Sequence, residues 1–95
     1  MIYTSTTGIM NVPEKELLQI CKDFDTRLKT YGDLAGQQEK HNLLSEIDDT
    51  RKALTEAISK IENGQKISRE ERNQIRLQLK HTEKSVAVEL YFPKI

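Results

Sequence analysis

Between residues 44 and 61, Leu44, Ile47, Arg51, Leu54, Ile58 and Ile61 recur at spacings of 3, 4, 3, 4 and 3. That alternation is the a/d register of a helix whose apolar positions form one continuous seam. Leu43, Thr50 and Ala57 make an adjoining row and widen it. A strand has a side-chain period of two and cannot keep such a pattern on one face, so this segment commits the chain to packing helix on helix.

Two further segments have helical patterning. In VPEKELLQICKDFDTRLKTYG, Leu17, Cys21, Phe24, Leu28 and Tyr31 are spaced 4, 3, 4 and 3, with Leu18 and Ile20 beside them. Pro13 suits a first turn and Gly32 suits a helix stop, which predicts helix over 13–31. The connection GDLAG holds two glycines, each costing about 1 kcal/mol inside a helix, so a break is expected there and the second helix is predicted over 36–62. Asn63-Gly64 ends it. Ser68 with Glu71 three residues on reads as a capping box, and Ile75, Leu79, Thr82, Val86 and Leu90 carry a third helix over 68–92.

The two ends are less one-sided. SVAVELYF is dense in β-branched and aromatic residues that alternate, and MIYTST has similar character, so a strand pair at the termini is the rival to the preferred helical reading. Residues 1–11 are read as a flexible or short extended arm, and 12–95 as one helical domain. The expected fold is all-α, with three helices dominated by a long antiparallel, coiled-coil-like hairpin. Its short NGQKIS loop sets Leu54 level with Ile75, Leu44 with Val86 and Ile58 near Arg72.

Composition enters through what must cover the seam. The chain has 95 residues, 36% hydrophobic and 5% aromatic, against roughly 45 to 50% apolar in an average domain. A first helix of about 28 Å cannot cover two of about 40 Å, which makes a homodimer the expected partner arrangement. The seam of that oligomer would be Leu44, Ile47, Arg51, Leu54 and Ile58. Arg51 interrupts it, either by laying its stem on the seam and pairing outward with Glu83 or Asp48, or by fixing register across the oligomer.

Fifteen basic side chains balance fifteen acidic ones, but residues 1–62 sum to −3 and residues 63–95 to +3. Arg69, Arg72, Arg76, Lys80 and Lys84 recur along the third helix, a cationic stripe suited to an acidic partner or, as the alternative, to a phosphate backbone. Glu70, Glu71 and Glu83 interleave with it, and no helix-turn-helix or aromatic stacking pattern accompanies it, which favours protein over nucleic acid. Val88, Tyr91 and Phe92 are apolar residues that the third stripe leaves over, and they complete the candidate partner-binding set.

Catalytic and metal chemistry find little footing. His41, His81 and Cys21 fall on three different helices without ligand spacing, and Cys21 beside Phe24 reads as core. Asp23/Asp25 and Asp48/Asp49 diverge around their helices, and there is no glycine-rich phosphate loop or nucleophile elbow. The expectation is a non-enzymatic protein without metal or cofactor, acting on another protein as inhibitor, adaptor or assembly chaperone, such as phages and mobile elements encode. One cysteine, no membrane-length apolar run and no basic leader point to the cytoplasm.

Overall fold

The computed structural model describes residues 6–91, and these form an all-α bundle with no strand among the described residues. A 3₁₀ helix, Thr6–Met10, precedes α1 (Glu14–Gln37), α2 (His41–Glu62) and α3 (Arg69–Val86), and a π-helical turn, Ala87–Tyr91, follows α3 without a break. The described residues span 46 × 24 × 23 Å.

α1 starts where Pro13, in extended conformation, accepts from the backbone N–H groups of Glu16 and Leu17. Glu14 and Glu16 then meet the positive end of the helix dipole. Leu17, Cys21, Phe24 and Leu28 are buried as their spacing requires. The helix does not stop at Gly32. It continues to Gln37, because Ala35 has a core position and α2 packs along this stretch of α1. A Cβ built at Gly32 would sit 3.6 Å from Ile47 Cγ2 and 3.7 Å from Leu44 Cδ1. Packing of that last stretch offsets the roughly 1 kcal/mol an internal glycine costs.

The stop comes instead at Glu39, whose φ of 56° is left-handed. Its N–H donates to Gly36 O at 3.1 Å and that of Lys40 to Ala35 O at 2.9 Å, the Schellman pattern without the usual glycine. α2 therefore starts at His41, not 36. The same pattern closes α2, now with Gly64 at φ 81° and Gln65 N–H donating to Lys60 O at 2.9 Å.

Ser68 caps α3, its hydroxyl accepting from Glu71 N–H at 3.1 Å. The reciprocal half of the expected box is diverted: both Glu71 oxygens lie 3.0 Å from Lys60 Nζ on α2. α2 and α3 run antiparallel, joined by that pair, by Ser85 to Glu46 and by Thr50 to Thr82. At the end of α3 the reading of SVAVELYF as strand is overturned. Val86 is a core residue and Tyr91 lies edge-on to Tyr31 of α1, ring centroids 6.1 Å apart, so helical period and not alternation places the tail.

Two differences in size change the packing argument. α1 is the longest helix at 24 residues, about 36 Å, and α3 the shortest at 18, about 27 Å before its π turn. α1 with α2 is the most extensive helix pair. The segment expected as a flexible or extended arm contains the 3₁₀ helix, whose Ile9 is fully buried at the base of α3. Of the expected terminal strand pair, residues 1–5 and 92–95 lie outside the described residues.

Candidate functional site

The residues proposed as an oligomer seam are occupied within the chain. Ile47 and Leu54 are completely buried, while Leu44 and Ile58 pack partly buried against the same core. Arg51 pairs neither with Glu83 nor with Asp48. Its Nε donates to Asp25 Oδ1 of α1 at 2.9 Å, and that hydrogen bond holds the guanidinium more firmly protonated than usual. Glu83 goes to Arg27 at 3.3 Å. With α1 long enough to cover α2, the ground for expecting a second copy along this seam is removed.

Arg72 leaves the cationic stripe. Its side chain is turned inward and 8% exposed, donating to the backbone oxygens of Ile9, Val12 and Ile67 and, through Nη2, to Glu14 Oε2 at 2.8 Å. The guanidinium has five donors in a rigid fork, which is why one side chain can tie the N-terminal 3₁₀ segment, the start of α1 and the α2–α3 loop together. Glu14 in turn accepts from Ile67 N–H at 3.3 Å.

Arg69, Lys80 and Lys84 stay exposed and form no ion pair among the described residues. Arg76 is half-buried against Asn73, which accepts from Nη2 at 2.7 Å. Of the acids expected to dilute the stripe, Glu71 and Glu83 are half-buried in ion pairs with Lys60 and Arg27, and Glu70 remains exposed. On this same outward face lie Leu77, Val88 and Tyr91, at 50%, 49% and 56% exposure the large hydrophobics most open to solvent among the described residues. Leu77 was not singled out from sequence. The signal was there: it is the one aliphatic residue of α3 that falls off the stripe through Ile75 and Leu79. Phe92, the remaining candidate, lies outside the described residues.

Beside this face, α2 and α3 leave a shallow groove of about 380 Å³ over Leu43, bordered by Glu46, His81, Lys84, Ser85 and Val88. Glu46 sits between His81, with Nδ1 2.8 Å from Oε2, and Ser85, whose hydroxyl donates to Oε1 at 3.1 Å. The carboxylate accepts from both, so His81 is not in line to take the Ser85 proton, and the trio fixes the groove wall without activating a nucleophile. Cys21 is buried and its thiol is pushed up to about 11 by that burial, which keeps it neutral and part of the core. Among the described residues no three His, Cys, Asp or Glu side chains are grouped to hold a metal ion, and no helix is long and apolar enough to cross a membrane.

Compared with protein-family models, curated proteins and solved structures, the chain matches none.

Proposed function

We propose that this chain acts by binding another protein through the outward face of α3, as an inhibitor, adaptor or assembly chaperone with no chemistry of its own. One observation carries the reading. The bundle pairs Glu71 and Glu83 with Lys60 and Arg27 and leaves Arg69, Lys80 and Lys84 unpaired among the described residues, beside half-exposed Leu77, Val88 and Tyr91. Apolar anchors inside a charged rim are the make-up of a protein-binding patch. A duplex backbone is the second reading, favoured by the row from Arg69 to Lys84, about 22 Å long. Half-exposed leucine and valine contribute nothing to phosphate, which ranks it lower.

A photo-crosslinking side chain placed at Val88, with Asp49 on the exposed side of α2 as control, tests the proposal in the native host. The expected result is a discrete protein adduct at 88 that is absent at 49 and lost when Leu77→Glu is added. No discrete adduct at 88 rejects it. A mobility shift at low salt that disappears in Lys80→Ala/Lys84→Ala would give the face to nucleic acid instead.

A further inference from the structure

Resting on that reading of α3, we infer that the occupant of the face is an acidic amphipathic helix of a different protein, about fourteen residues long, and not a second copy of this chain. Leu77, Lys84 and Val88 are spaced 7 and 4 and make a straight stripe along α3, which the π-helical turn extends to Tyr91, whose ring lies edge-on to Tyr31 of α1. From first to last it measures about 21 Å, the length of some fourteen helical residues. A helix laid along such a stripe is read through positions i, i+4, i+7 and i+11. The cations set the partner's sign: Lys80 and Lys84 lie within the stripe and Arg69 and Arg76 along its side, so the flanks of the incoming helix are Asp and Glu.

The same geometry disfavours self-association. The three large apolar residues exposed among the described residues all belong to this face, so a second copy could cover it only with the same face, about a two-fold axis. Paired with itself about a two-fold axis through the middle of the stripe, α3 would set Leu77 against Tyr91 but also Lys84 against its own copy at the centre and Lys80 against Val88, putting like charge on like and a cation on an apolar anchor. An acidic helix instead meets Lys80 and Lys84 over the middle of the stripe, with Glu70 and Glu89 the exposed acids toward its two ends. The adjoining groove over Leu43, about 380 Å³ and sharing Lys84 and Val88 with the stripe, has room for one large apolar anchor from that helix.

The test is a displayed library of fourteen-residue helix-forming peptides with all outward positions randomised, selected against the full chain at moderate salt. The expected enrichment is apolar residues at i, i+4, i+7 and i+11 flanked by Asp and Glu. Binding of a selected peptide is expected to fall at least tenfold in Val88→Glu and in Lys80→Glu/Lys84→Glu, both with unchanged melting temperature, and to weaken as salt rises. Enrichment of basic or non-helical sequences, no enrichment, or binding indifferent to Val88→Glu overturns the inference. So does a dimer in sedimentation equilibrium that Leu77→Glu dissociates, which hands the face to a second copy. A discrete Val88 adduct with a failed library leaves the protein-binding reading standing and removes only the helix; no adduct removes both.

Discussion

Replacing Arg72 with Met keeps the buried stem and deletes the fork. The Ile9 and Ile67 carbonyls then lose their guanidinium donors inside the fold, while Val12 and Glu14 lie at its edge, where water can replace the bond. Each buried carbonyl left without a donor costs about 1 to 3 kcal/mol, so the substitution costs about 2 to 6 kcal/mol. For 95 residues the whole stability is expected to be about 5 to 14 kcal/mol, so this is a large share of it. At about 4 to 8 °C per kcal/mol for a domain this size, a 3 kcal/mol loss lowers the melting temperature by about 12 to 24 °C. Circular dichroism during thermal and urea unfolding measures it, with Arg69→Met, three residues away and exposed, as the control expected within about 0.5 kcal/mol. Arg72→Lys should fall between, since one ammonium cannot reach oxygens on three segments. A loss under about 1 kcal/mol in Arg72→Met, or one equal to that of Arg69→Met, would refute the clasp and return Arg72 to the surface stripe.

Other consequences are as direct. Thr50 donates to Glu46 O at 3.1 Å and lies 2.7 Å from the Thr82 hydroxyl, so Thr82 supplies the shared proton. Either single change to Val should cost about 1 kcal/mol in urea unfolding, and the double change less than the sum of the two, as a double-mutant cycle reads. Gly32→Ala should stabilise by about 0.5 to 1 kcal/mol, because its new methyl meets Ile47 and Leu44 at ordinary contact distance, whereas Gly64→Ala, at φ 81°, should destabilise by about 1 kcal/mol; equal signs would contradict both placements. The Arg72 hydrogen bond holds the Glu14 carboxyl below its usual range, so the contribution of that carboxylate is present above the ordinary Glu range and is lost as pH falls through the depressed folded value. Urea midpoints followed from pH 7 down to about pH 3 should fall less steeply in Glu14→Gln than in the parent chain.

The helical class, three segments and most of the core were legible in the order of residues. Leu17, Cys21, Phe24, Leu28, Ile47, Leu54, Leu79 and Val86 are buried because a 3.6-residue period leaves them one face, and that holds whatever the neighbours are. The capping serine and the Asn63-Gly64 stop are local chemistry too, settled within a few residues. The end of α1 was not local. Gly32 is a helix breaker by intrinsic propensity, and only the close approach of α2 makes it a helix interior, with Glu39 taking the left-handed position instead. Ile67 shows the same limit from the other side, a lone apolar residue in a loop that the fold buries and whose N–H donates to Glu14 of α1.

Charges mark the division most sharply. The sequence by itself determined that five cations recur along the third helix, since their spacing is a property of one element. Which of them face water depended on segments far away in the chain. Ile9, Val12 and Glu14 draw Arg72 inward, while Lys60 and Arg27 pair with Glu71 and Glu83 at the two sides of α3. A long charged side chain has several rotamers within reach of either solvent or core, and its choice is set by the partners tertiary packing brings within about 3 Å. The face left over, with Leu77, Val88 and Tyr91 among lysines, exists only as the remainder of those choices.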